Sequence, residues 1–232
     1  VSHETGDIND VEKIAADLKK INPAIKIHVD GAQGFCKENF SLENVDFYTF
    51  SGHKIHGAHV GGLFVRDGVR ISPLIFGGSQ EQNLRAGTEN LRGIIRTAAA
   101  AKFLFYSREK NLLHVSNIKN EIAQLAKIIP DCEINSLGDC VSPYILNISF
   151  LGIKGETLVH FLSERGIFAS MGAACRSRKK QKSMLELMGF DAERAESAVR
   201  FSFSHMNTQD EAAAACEIIA AAVKQIRRVV KR

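Results

Sequence analysis

The chain has 232 residues, 45% of them hydrophobic and 24% charged, with a net charge of +4. That composition is ordinary for a globular protein, and the length suits one large domain or two small ones. The small net charge, not concentrated in either half, argues against a general nucleic-acid role, and no apolar run is long enough to span a bilayer.

The first residues, Val1 to Gly6, read as a strand end and loop. They do not include an initiator Met and look like the middle of a protein; no signal peptide is visible. A helix is predicted over Val11 to Ile21, with Val11, Ile14, Ala15 and Leu18 on one face and Pro23 as its stop. Strands follow at Ile25 to Val29, Phe47 to Phe50 and Gly61 to Val65, the last turned by Asp67-Gly68. From Asn90 to about Ile128 helical periodicity dominates, with a kink, until Pro130.

The rest reads as α+β. Strands are expected at Glu133 to Asn135, Ile145 to Phe150, Ile167 to Ala169 and Val199 to Phe203. Helices are expected at Glu156 to Arg165, Ser183 to Met188 and Glu211 to Val229. Thr208 and Glu211 have capping-box spacing, and the basic end of the last helix suits its dipole. The five cysteines are odd in number and form no CxxC pair, which predicts free thiols in a reducing compartment, hence the cytoplasm. Cys216, in an Ala-rich stretch, reads as core packing; Cys132 and Cys140 carry only a weak metal spacing.

Chemistry concentrates at the end of the second strand. Ser51-Gly52-His53-Lys54 presents a hydroxyl, an imidazole and an amine there, and the first strand ends in Asp30-Gly31-Ala32-Gln33. Lys54 follows Asp30 by 24 residues, room for one loop and one strand. Ligands of open α/β sheets bind at the carboxyl ends of the strands, so a carboxylate and an amine can share one pocket. This pairing suits pyridoxal phosphate (PLP), which needs a Schiff-base lysine and an Asp that keeps the pyridine nitrogen protonated. Each residue also has a plainer reading: Lys54 as a surface lysine, Asp30 as a turn cap, Gln33 as a loop amide, His53 as structural.

Five motifs in order carry a resemblance: HVDGAQ (28–33), SGHK (51–54), GGSQEQNLRAGTEN (77–90), GAAC (172–175) and VRFSF (199–203). Together they resemble the cysteine desulfurases of the NifS/IscS type, class-V aminotransferase enzymes that depend on PLP. The resemblance covers nearly the whole chain. It implies an α/β, fold type I PLP-dependent transferase fold. Residues 1–100 would be the C-terminal part of the large cofactor domain, with a mainly parallel sheet. Residues 101–232 would be a connecting helix and a small α+β domain.

It implies roles too. Lys54 would hold the cofactor and move the α-proton, with acid–base help from His53. Asp30 would pair with the pyridine nitrogen, Gln33 with the phenolic oxygen, and Ser51 and His53 with the phosphate. Thr88 would reach the phosphate of a partner subunit's cofactor in a homodimer; alternatively it caps the helix near Asn90. Arg200, an odd guanidinium on an apolar strand, would take the α-carboxylate of L-cysteine; alternatively it forms an internal salt bridge. Cys175, followed by Arg176, Arg178, Lys179, Lys180 and Lys182, would be the thiolate that takes the sulfur, leaving alanine and a persulfide. Alternatively Cys175 is a small buried residue in a solvated basic loop. The persulfide would pass to an iron–sulfur scaffold or a tRNA-thiolation protein.

Two departures stand out. His3 occupies the position where the family usually has Asn at the phenolic oxygen. The family's N-terminal phosphate loop and ring-stacking His are not in this sequence, which leads to the expectation that they come from another chain or that the chain is a non-catalytic dimerisation or scaffold fragment. A selenocysteine lyase is the other enzymatic alternative.

Overall fold

The computed structural model describes residues 1–136, 138, 140–171 and 182–230, without the side chain of Val230. It divides into two compact units, residues 9–108 and residues 1–8 with 109–232. The expected boundary at residue 100 is therefore corrected twice: it falls after 108, and the first eight residues belong with the C-terminal unit. The reason is hydrogen bonding. Asn147 Nδ2 donates to the Glu4 carbonyl (3.0 Å), Ser142 N–H to Gly6 (2.9 Å) and Ile8 N–H to Cys140 (3.0 Å).

In the first unit, α1 spans Val11–Ile21. Asp10 caps it by accepting from Lys13 N–H at 3.0 Å, and Lys19 and Lys20 sit in its last turn. Strand β1, His28–Asp30, pairs parallel with β2, Phe47–Ser51, placing Asp30 opposite Thr49. Strand β3, Gly61–Val65, pairs antiparallel with β2. Within this chain the sheet is thus mixed, where a mainly parallel one was expected: only nine residues separate β2 from β3, too few for a helical crossover. Alternation divides the residues by face. Val29, Tyr48 and Phe50 pack with Ala15, Ile27 and Val45 into this unit's core. His28, Asp30, Thr49 and Ser51 take the other face, where His28 Nε2 lies 3.2 Å from Thr49 Oγ1.

Helix α2, Leu91–Ala123, starts with Asn90 accepting from Gly93 N–H at 3.0 Å. The helix is interrupted at Gln124 and continues as α3, Leu125–Ile128. Ile129, before Pro130, is extended, as the ring demands.

In the second unit, β4 (Cys132–Ile134), β5 (Ile145–Phe150), β6 (Ser170–Met171) and β7 (Ala198–Ser202) form an antiparallel sheet in the order β4-β5-β7-β6. Helices α4 (Gly155–Ser163), α5 (Met184–Leu187), α6 (Ala192–Glu196) and α7 (Gln209–Val230) complete it. Both halves of the Thr208–Glu211 capping box form, at 3.1 and 3.0 Å. Leu146, Ile148 and Phe150 of β5 are buried with Leu158 and Leu162 of α4 and Ile219 and Val223 of α7. Cys216 packs at the edge of this core, its thiol 3.6 Å from the Glu121 carbonyl. No helix among the described residues is long and apolar enough to cross a membrane.

Candidate functional site

The site lies where β1 and β2 end. Because these strands are parallel, Asp30 and Ser51 leave the sheet on the same edge, and they point to the same face. The carboxylate of Asp30 is exposed and held at the strand end by Ala32 N–H, 2.9 Å from Oδ1. Gly31 N–H donates to the Thr49 carbonyl at 2.8 Å, extending the strand pairing one residue further. Gly31 is obligatory here: a methyl on it would lie 1.8 Å from Tyr48 Cζ. Tyr48 is buried beneath, with its hydroxyl donating to Gly31 O at 3.3 Å. Gln33 is half-buried in the turn that follows.

After Ser51 the chain winds into one 3₁₀ turn, Gly52–Ile55. Ile55 is the buried anchor, and His53 and Lys54 are exposed. His56 is left-handed at φ 62°, which lets Gly57 N–H return to Gly52 O at 2.9 Å. A residue the sequence reading overlooked fixes this turn. Thr97 of α2 is buried, accepts from Ala58 N–H at 3.2 Å, and would lie 2.6 Å from a methyl placed on Gly52. Its signal in the sequence is slight: one hydroxyl beside a run of alanines.

Ser51 Oγ is 2.9 Å from His53 Nδ1. With His53 neutral, that pair has one outward donor. It is Nε2–H if Ser51 donates to Nδ1, or the Ser51 hydroxyl if Nδ1–H donates to Ser51. An imidazolium supplies both. The His53 ring stacks on His59, centroids 5.2 Å apart and planes 15° from parallel. A second amine stands within electrostatic reach: burial, then the charge of Lys54, brings Lys37 down to about 8, with Glu38 opposing. Burial pushes the Cys36 thiol up, and its backbone is left-handed at φ 59°.

Thr88 is exposed and does not cap α2; Asn90 does. Asp30, Gln33, Ser51, His53, Lys54 and Thr88 all belong to the unit of residues 9–108. His3 and Arg200 belong to the other unit and are brought together there: Arg200 Nη1 donates to the His3 carbonyl at 2.8 Å. This bond to a carbonyl is not the internal salt bridge expected as the alternative for Arg200. Its Nε is buried without a partner among the described residues. The imidazole of His3 is exposed, 3.9 Å from Glu4 Oε1. Cys175 and the residues Arg176 to Lys180 lie outside the described residues. No cluster of potential metal ligands occurs among the described residues, Cys132 and Cys140 included.

The donor set fits PLP. A carboxylate, an amine and a hydroxyl–imidazole pair converge on one strand edge, matching the pyridine nitrogen, aldehyde carbon and phosphate of that group.

Comparison with known proteins gives the same family. The family model "Aminotransferase class-V" matches residues 1–214. A cysteine desulfurase of Nostoc sp. is 34% identical over 97% of this chain and 57% of its own length. A NifS/IcsS protein homolog of Lactobacillus delbrueckii is 37% identical over 91% of this chain and 56% of its own length. A solved NifS-like protein superposes with a TM-score of 0.87 at 32% identity, covering 96% of this chain and 58% of that one. The chain spans somewhat over half the length of the curated relatives it matches. On the family model and these relatives together, the chain belongs to the class-V aminotransferase family, with the fold of the NifS-like PLP-dependent transferases.

Proposed function

We propose that the protein is a PLP-dependent cysteine desulfurase. The observation that carries this reading is the parallel pairing of β1 with β2, which delivers Asp30 and the Lys54 turn to one edge of one sheet. Relatives named cysteine desulfurase support it. PLP at such a site supplies an electron sink for chemistry at the α-carbon of an amino acid.

The residues then divide the work. Lys54 would hold the cofactor through its amine and would carry the α-proton of the substrate. Asp30 keeps a proton on the pyridine nitrogen, Gln33 and His3 serve the phenolic oxygen, and Ser51 and His53 bind the phosphate. Arg200 takes the carboxylate of L-cysteine through donors that the His3 carbonyl leaves free. The Cys175 thiolate would attack the substrate sulfur; the carbon–sulfur bond breaks with its electron pair left on the substrate carbon, which takes up a proton to leave as alanine, and the sulfur stays on Cys175 as a persulfide. An acceptor protein, in iron–sulfur cluster assembly or tRNA thiolation, then receives it in the cytoplasm. Thr88 serves the partner subunit of a homodimer.

The test is alanine and persulfide formation from L-cysteine by the purified, PLP-loaded protein. Lys54→Ala is expected to abolish both products. Cys175→Ala is expected to lose sulfur transfer with the cofactor still bound. Full activity in Lys54→Ala, or persulfide retained in Cys175→Ala, contradicts the respective assignment. Selenocysteine turnover faster than that of cysteine would make the protein a selenocysteine lyase instead.

A further inference from the structure

His59 has no part in the mechanism so far, yet the backbone around it is pinned on both sides. Ala58 N–H donates to Thr97 Oγ1 at 3.2 Å, and Gly52 N–H donates to Val60 O at 2.7 Å. Between them Val60 N–H donates to Ala58 O at 2.8 Å, so His59 sits at the apex of a three-residue turn. The same segment closes on the 3₁₀ turn through Gly57 N–H to Gly52 O at 2.9 Å. The result is a loop folded back over the turn that carries His53 and Lys54.

His59 reaches His53 from this loop. The rings are nearly parallel, 5.2 Å apart at 15°. Ser51 independently holds His53 by Nδ1 at 2.9 Å. These two contacts restrain different motions. The hydrogen bond fixes which ring edge faces Ser51, and the stack fixes the ring plane. An exposed imidazole held by one hydrogen bond alone still turns about that bond. Held by both, it presents its Nε2 edge in one direction.

We propose that His59 is a positioning residue that fixes the His53 ring plane, so that the Ser51–His53 pair meets an anionic group in a preset orientation. The group is a phosphate ester on the reading given above, on which this part of the inference rests. His59 acts through His53 and does not itself touch the ligand.

The test has two arms, one independent of the cofactor. In the cofactor-free protein, ¹⁵N NMR of labelled histidines reads the tautomer ratio and ring averaging of His53. His59→Ala is expected to move that ratio and broaden the averaging. His59→Phe, which keeps a flat ring without titratable nitrogens, is expected to restore the wild-type signature. An unchanged His53 signature in His59→Ala, or failure of Phe to restore it, overturns the proposal. The second arm is PLP affinity. His59→Ala is expected to weaken it roughly three- to tenfold, the range of one aromatic stack, and His59→Phe by less than about twofold. In a His53→Ala background His59→Ala is expected to have no further effect; a full additional loss overturns the proposal. If His53→Ala leaves PLP affinity unchanged while the NMR arm behaves as expected, the phosphate role of His53 falls and the positioning role stands.

Discussion

Asp46 sits immediately before β2, with its side chain only 3% exposed. Its Oδ2 accepts from Lys19 Nζ at 2.8 Å and from Ile27 N–H at 3.0 Å, and Lys26 Nζ lies 3.4 Å from Oδ1. One carboxylate thus ties α1 to the start of both strands that carry the site. Burial by itself would raise its pKa. The hydrogen bonds from Lys19 and Ile27 and the charges of Lys19 and Lys26 outweigh that and bring it from 3.8 down to about 2.

A lowered carboxylate pKa is stability that is complete above the unfolded value and lost as pH falls towards the folded one. The difference corresponds to about 2 kcal/mol at neutral pH. Asp46→Asn keeps the shape and an acceptor for Ile27 N–H but cannot ionise. The variant is expected to be about 2 kcal/mol less stable at pH 7, with the gap shrinking by about 1 kcal/mol at pH 3. Urea unfolding at low salt is the suitable assay, since guanidinium chloride would screen the ion pairs. A gap that stays constant from pH 7 to pH 3, or no gap at pH 7, would contradict an ionised Asp46 held by Lys19 and Ile27.

Two further outcomes follow from local geometry. Gly31→Ala places a methyl 1.8 Å from Cζ and 2.0 Å from Oη of buried Tyr48, so it is expected to cost about 2–3 kcal/mol by forcing the ring aside; an unchanged melting temperature would contradict the packing. Lys37, at about 8, binds its proton less readily than an unfolded lysine at 10.5, so folding gains stability as pH rises from 8 towards 10.5. Lys37→Met is therefore expected to stabilise the protein by about 3 kcal/mol at pH 7 and by about 1 kcal/mol at pH 10 in urea titrations; equal effects at both would contradict the burial argument.

Much of this architecture is legible from periodicity and punctuation. Val11–Ile21, Gly61–Val65 and Ile145–Phe150 fall where the apolar pattern and Pro23 or Asp67-Gly68 put them. Asp30 and Lys54 reach one strand edge because two short apolar strands run parallel, and their spacing alone suggests that. Other features depend on partners far away in sequence. The strand expected at Ile167 to Ala169 forms instead at Ser170–Met171, because pairing with β7 begins only there while Ile167 and Ala169 pack on the core. Helix α6 is only five residues long, too short for a period, and rests on the Asp191 cap and the stacking of Arg194 on Phe190. The contact of Thr97 with Ala58 spans 39 residues. Nothing local marks it, nor the His53–His59 stack, since both arise when the loop after β2 folds back. The anchoring of residues 1–8 by Asn147 and Arg200 likewise joins the ends of the sequence.

On the proposed function, Lys54 is the cofactor lysine. The direct measurement is the visible absorption of the purified protein with added PLP, followed by borohydride reduction and peptide mass mapping. A stable imine band and a single reduced adduct on Lys54, lost in Lys54→Ala, are expected. No band, or adducts scattered over surface lysines with Lys54 unmodified, would contradict it.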